Sequence, residues 1–178
     1  MPIDVKIKLV SPTAKMPTKG SPGSAAYDLY VDCPNSTYRE WDGGIYNPEV
    51  NGIKIRPHET VIFDTGIATE IPSGYYAAVH VRSSIGIKQD LRLSNCTGII
   101  DSDFRDTWKI ALYNASNETR IIHHHDRVAQ FIIAPVLDVN LVKVNQLNTE
   151  NDRGGGIGST GIWFDRFVYH RKLMIKSN

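Results

Sequence analysis

The sequence predicts an all-β fold, a sandwich or barrel of short strands, and three observations carry that prediction. Short alternating or apolar runs recur along the chain, separated by Gly, Pro, Asn and Asp. No apolar stripe of helical period persists over several turns. No internal repeat marks a solenoid or propeller.

The elements follow in order. Residues 5–10 alternate Val, Lys, Ile, Lys and Leu, as a strand with one wet face does. Residues 59–63, 66–71 and 75–81 are short apolar or alternating runs bounded by Pro, Gly and Ser. Residues 83–89 form the one short helical candidate, opened by a Ser cap. Residues 95–114 read as strand, tight turn, strand. The run 95–100 is apolar, Ser102-Asp103 supplies the turn, and 108–113 alternates again. Residues 119–123, 128–136 and 140–144 complete the strands. A polar linker, 146–152, leads into Arg153-Gly154-Gly155-Gly156-Ile157-Gly158-Ser159-Thr160-Gly161, and an aromatic tail runs to residue 178.

At 178 residues the chain suits one domain with a sizeable core. A net charge of +1 offers no broad basic field for nucleic acid. Two cysteines, Cys33 and Cys96, make neither a disulfide framework nor a CxxC metal site. No apolar run reaches membrane-spanning length, and no signal-peptide core stands at the N-terminus. The expectation is a soluble intracellular protein that binds no membrane. His123-His124-His125 tempts a zinc reading. On a strand only His123 and His125 share a side, and no Cys or carboxylate spacing supports them.

Chemistry-bearing residues fall in five clusters. These are Ala25-Ala26-Tyr27-Asp28-Leu29, Arg82-Ser83-Ser84-Ile85-Gly86, the 95–114 hairpin with Asp101 at its mouth, Asp126-Arg127-Val128-Ala129-Gln130, and the Gly-rich segment. An apolar setting behind Ile99 and Ile100 can hold the Asp101 carboxylate ready to take a proton from water. Arg82 suits charge-assisted hydrogen bonds to phosphate, and the serines beside it add donors at a helix start. The Gly-rich segment is no Walker A loop, because no Lys precedes Ser159 and no strand feeds it. Asp126 and Arg127 read as an internal ion pair.

In this order the five clusters resemble the motifs of the trimeric dUTP diphosphatase (dUTPase) family, over roughly residues 1–161. The resemblance implies a jelly-roll β-domain over 1–145, a mobile arm over 146–161 and a C-terminal extension over 162–178. It implies a homotrimer with shared active sites that hydrolyses dUTP to dUMP and pyrophosphate with Mg²⁺. Asp101 would activate the water that attacks the α-phosphorus. Arg82, Ser83, Ser84 and Gly86 would hold phosphates. Asn95 would read uracil, with backbone groups of Gly98 and Ile99. Phe104 stands for the usual Tyr and would flank the deoxyribose. Lys109 falls at a further substrate position. Asp28, through water, and Gln130 would hold the magnesium shell. Arg153, Ile157, Gly158, Ser159 and Thr160 would close over the nucleotide from another subunit.

The chain departs from the family pattern in three places. Residues 33–54, rich in turn formers and in Tyr38, Trp41 and Tyr46, read as an inserted surface loop or a hairpin turning at Asp42-Gly43-Gly44, which either packs on its own domain or offers a protein partner a surface. The arm is one residue short and carries Ile157 where Phe is usual. The tail beyond Gly161 carries Trp163, Phe164, Phe167 and Tyr169, either as the missing stacking ring or as an extra strand. Two other functions stand beside hydrolysis. A dCTP deaminase would need a Glu base where this chain has Ala111. A non-catalytic nucleotide-sensing or protein-binding module would suit the insertion and tail, but retains Asp101, Arg82, Asn95 and Asp28 without need.

Overall fold

The structure, a computed structural model, describes residues 2–35, 47, 49 and 51–156. Two units divide it, Met1–Asp138 and Val139–Asn178.

Among the described residues the first unit has twelve strands, one α-helix and a 3-10 turn at Cys33–Asn35: β1 (Lys6–Leu9), β2 (Thr18–Lys19), β3 (Tyr27–Tyr30), β4 (Gly52–Ile55), β5 (Thr60–Asp64), β6 (Ile67–Glu70), β7 (Tyr75–Val81), α1 (Ser83–Gln89), β8 (Leu91–Leu93), β9 (Gly98–Ile100), β10 (Lys109–Asn114), β11 (Arg120–His123) and β12 (Arg127–Pro135). A five-stranded sheet runs β2-β3-β12-β7-β9 and a three-stranded one β5-β10-β8; β1 pairs with β6, and β11 with β4. Every pairing is antiparallel.

Strand alternation decides which residues make the core. On β10, Ile110 and Leu112 are buried and lie opposite Phe63 and Val61 of β5. On the five-stranded sheet Phe131 faces Val79, and Ile133 faces Ala77. The two layers meet where Trp108 sets its edge against Phe131, with ring centroids 5.1 Å apart. Trp108 is fully buried and its indole N–H donates to Thr69 Oγ1 at 3.2 Å. The result is the predicted all-β sandwich, with one short α-helix among the described residues.

Several expectations need correction. Residues 95–114 are not a paired hairpin. β9 joins β7 while β10 joins β5 and β8, so the chain changes sheets between them. Eight residues separate the two strands, 101–108, enough to cross from one layer to the other. Residues 140–144 form no strand in this chain and expose their side chains, with Leu141 at 95%. Alternation supplies a face but not a ladder partner. The interval 33–54 runs into core: Ile53 of β4, and Ile55 just beyond the interval, are wholly buried. Its aromatics Tyr38, Trp41 and Tyr46 lie outside the described residues.

The three histidines close a turn after β11. His123 ends the strand, the chain bends, and the adjacent rings of His124 and His125 meet tilted by 33° with centroids 3.6 Å apart, so strand parity fails there. Asp126 does not pair with Arg127. Its carboxylate accepts from the His123 backbone N–H at 2.8 Å, which braces that turn.

In the second unit, the described residues 139–156 are exposed and carry no strand or helix. A turn is held by the Asp152 backbone N–H donating to the Thr149 carbonyl, and Gly154 and Gly155 take positive φ after it.

Candidate active site

Register places the candidate residues. Asn95, Gly98, Ile99 and Lys109 line one cleft of about 100 Å³, with Val79, Leu93, Ile100, Trp108, Ile110 and Ala111. The cleft opens where β9 and β10 part into different sheets. Asn95 offers both a donor and an acceptor there. Gly98 keeps it open. A Cβ at that position would stand 3.2 Å from Val79 Cβ, with Asn95 Nδ2 at 3.8 Å. Lys109 is also held by Asp64 at 3.7 Å, so its charge is partly engaged on β5. Ala111 sits on the cleft wall and leaves the deaminase position without a base.

Asp101 follows β9 directly and lies in a neighbouring groove with Ser73, Gly74, Tyr75, Tyr76, Ser102 and Asp103. The expected apolar enclosure is not there. Asp101 is exposed and Ile99 is 55% exposed, because β9 is the outermost strand of its sheet. The turn itself is well tied. The Phe104 backbone N–H donates to the Asp101 carbonyl at 3.2 Å, and Arg105 Nη1 donates to the carbonyls of Ser102 and Phe104. Phe104 is exposed beside it.

Asp28, Arg82, Arg127 and Gln130 form a second group. Gln130 of β12 lies between Asp28 of β3 and His80 of β7 in register, on the sheet face opposite Phe131. Asp28 is buried, and each of its oxygens meets a guanidinium. Arg82 Nε lies 2.8 Å from Oδ1, and Arg127 Nη1 3.1 Å from Oδ2. Arg82 also donates to the Arg127 carbonyl at 3.2 Å. Ser83 and Ser84 open α1 and are exposed, and Gly86 packs within it. Sequence reading missed the Arg127–Asp28 contact. A carboxylate inside a strand signals a need for a cation, but only cross-strand register tells which one.

Both Asp28 oxygens already accept from guanidiniums, so its charge is engaged by the two arginines. Among the described residues no group of three or more His, Cys, Asp or Glu could hold a metal ion. The donor set therefore fits a magnesium ion only if phosphate oxygens and water supply its ligands.

Arg82 and Asp101 of one chain stand apart. Asp101 follows Ile100, which pairs with Ala77 near the start of β7, whereas Arg82 follows the end of β7. At about 3.3 Å per residue the separation along the strand is roughly 20 Å. Arg82 also reaches away from β9, across β12 to Asp28. Arg153 belongs to the second unit and is exposed. Ile157, Gly158, Ser159, Thr160 and the aromatic tail lie outside the described residues.

Comparison with known proteins bears on the same motifs. The dUTPase family model matches residues 50–161. The deoxyuridine 5'-triphosphate nucleotidohydrolase of Escherichia phage T5 is 37% identical over 158 residues, covering 88% of this chain and 98% of its own. A dUTPase mutant of Staphylococcus bacteriophage 80alpha, solved with dUpNHpp, superposes with a TM-score of 0.72 at 21% identity, over 89% of this chain and 99% of that one. A mutant dUTPase from phage phi11 of S. aureus, described as revealing the coordination of a structural Mg(II) ion, gives 0.66 at 20% identity, over 81% and 98%.

Proposed function

This chain belongs to the dUTPase family and hydrolyses dUTP, and from that premise we propose how its residues divide the work. Uracil enters the cleft of Asn95, Gly98 and Ile99, where the Asn95 carboxamide reads the mixed donor–acceptor edge. Phe104 covers the deoxyribose. The α-phosphorus then lies near Asp101, which takes a proton from water. The water oxygen bonds to the α-phosphorus, the bridging oxygen to the β-phosphorus departs, and pyrophosphate leaves with that electron pair. The supporting observation is the cleft: four residues singled out from motif order converge on it, and Asp101 begins the turn at the end of its β9 edge.

Arg82, Ser83, Ser84, Gly86 and Gln130 hold the phosphates, and the arm with Arg153, Ile157, Gly158, Ser159 and Thr160 closes over them. The distance from Arg82 to Asp101 argues that these groups come from different subunits of a homotrimer. The exposed apolar residues Leu137, Val139, Leu141, Val142, Val144 and Leu147 support a partner chain as their cover. Asp28, through water, and the phosphates of the substrate would hold a Mg²⁺ ion, which would supply charge neutralisation there. The interval 33–54 is a candidate surface for a further protein. No helix among the described residues is long and apolar enough to cross a membrane, and the substrate places the enzyme inside the cell.

The test is pyrophosphate release across dUTP, dCTP, dTTP and UTP, with Asp101→Asn beside the native enzyme. Hydrolysis should be confined to dUTP. The variant should bind nucleotide but lose on the order of 10³-fold or more in turnover. Near-native turnover in Asp101→Asn would remove that residue from the base role.

A further inference from the structure

We infer that Arg105 is the positioning residue of the turn that carries Asp101: its guanidinium staples the backbone between Asp101 and Phe104 and so fixes the carboxylate against the water it activates. The inference rests on the base role proposed for Asp101.

Between β9 and β10 the chain crosses from one sheet to the other, and burial does not hold it there. Asp101, Asp103, Phe104, Arg105 and Asp106 are exposed, and the first fully buried side chain of the crossing is Trp108. Exposed segments with few apolar contacts belong to the least stable part of a fold. A general base must nonetheless stay within hydrogen-bond reach of its water. Hydrogen bonds therefore have to supply the rigidity that packing does not. One closes the turn, from the Phe104 backbone N–H to the Asp101 carbonyl at 3.2 Å. Arg105 supplies two more. Its Nη1 donates to the Ser102 carbonyl at 2.6 Å and to the Phe104 carbonyl at 3.0 Å.

The Ser102 carbonyl belongs to the peptide plane in the middle of the turn, and the Phe104 carbonyl to the plane at its exit. One charged nitrogen holds both, so neither plane rotates without losing a charge-assisted bond. Rotation of the middle plane would open the turn and swing Asp101 at one end and Phe104 at the other. The guanidinium is also steadied from outside the turn. Lys6 grips Glu70 of β6 at 2.7 Å and holds its carboxyl below the ordinary value of 4.5, and Arg105 adds a smaller pull of the same sign. Asn95, Gly98 and Ile99 owe nothing to this staple, because they stand on or before β9, which the ladder to β7 holds. Loss of Arg105 therefore acts on turnover and leaves the base cleft intact.

Hydrolysis of dUTP by the full chain reads turnover, and titration with a non-hydrolysable imido analogue of dUTP reads binding. Arg105→Met keeps the aliphatic stem and removes the donors. Turnover should fall about 10- to 100-fold, as a small displacement of a reacting group does. Affinity for the analogue should change less than about 3-fold, and the urea midpoint should stay native because the residue is exposed. Arg105→Lys offers an ammonium where a single nitrogen is used, and its turnover should lie between the native and methionine values. Native turnover in Arg105→Met overturns the inference. So does a turnover loss matched by an equal loss of affinity or by a lowered urea midpoint, which would make Arg105 a general brace. A lysine variant no better than the methionine one overturns it too, since the carbonyls would not be what the cation serves. Asp101→Asn is assayed alongside. If it is inactive while Arg105→Met is native, this inference alone fails. If Asp101→Asn turns over normally, the base role beneath it fails as well.

Discussion

His124 shows how much a single side chain can depend on its enclosure. Its ring stacks on His125, and Nδ1 is buried without a hydrogen bond, 3.8 Å from Asp32 Oδ1. Asp32 is itself held by the hydroxyls of Ser11 and Thr13. Burial lowers the His124 pKa below its ordinary value of 6.5, with the neighbouring His125 and Lys15 adding to the effect and Asp32 opposing it. The folded chain therefore keeps this imidazole neutral when the unfolded chain would protonate it. Between the two pKa values the unfolded state binds more protons, so stability rises with pH there. The contribution is fully present above about pH 6.5 and fades as pH falls below it. Urea denaturation as a function of pH should show that slope in the native chain and a flatter one in His124→Gln. An unchanged slope would place the titrating group elsewhere. The buried Cys33 thiol is inert by the same logic: burial, with Asp126 and Asp32 nearby, pushes it up to about 12.

At the scale of elements, the sequence was legible wherever alternation met an ordinary partner. The runs at 5–10, 66–71, 75–81 and 128–136 all became strands, and all but the first carry fully buried residues. β3 escaped notice because Asp28 occupies a buried position in Tyr-Asp-Leu-Tyr and breaks the apolar count; the pair of arginines that holds it was equally invisible. β4 escaped because it is four residues long and abuts a turn-rich interval. Asp101, Asn95 and Arg82 were legible as motif residues, but their separation along β7 was not, since spacing in sequence says nothing of register. The turn joining β5 to β6 offers a sharp test of local packing. Gly66 takes φ +67, and a Cβ there would stand 2.5 Å from Ala14 Cβ and 2.8 Å from Asp32 Oδ2. Gly74, before β7, takes φ +82 with nothing within 4 Å. Gly74→Ala carries only the backbone strain, about 1 kcal/mol. Gly66→Ala adds overpacking against the buried Asp32 cluster and should cost about 2–4 kcal/mol. Equal loss in the two variants, by urea midpoint, would show that the Ser11–Ala14 segment yields freely.

At the scale of the whole molecule, the roles proposed for Arg82 and Asp101 raise the question of how both would serve one nucleotide. Asp101 extends from the outer edge strand β9, and Arg82 turns the other way, across β12 to Asp28. With roughly 20 Å between them along β7, a triphosphate gripped at Arg82 does not present its α-phosphorus to Asp101 of the same chain. A homotrimer with cyclic symmetry resolves this if each site takes Asp101 from one subunit and Arg82 from its neighbour. The arrangement has a numerical consequence. Arg82→Gln and Asp101→Asn homotrimers should each be inactive, for every site lacks one partner. When the two variants are unfolded together in equal amounts and refolded, subunits combine at random. A site then works only if its Asp101 donor is the Arg82→Gln chain and its Arg82 donor is the Asp101→Asn chain, which happens in about one case in four. Recovery of about a quarter of native activity on mixing is the expected outcome. A site contained within single chains would recover none, because no subunit in the mixture carries both residues.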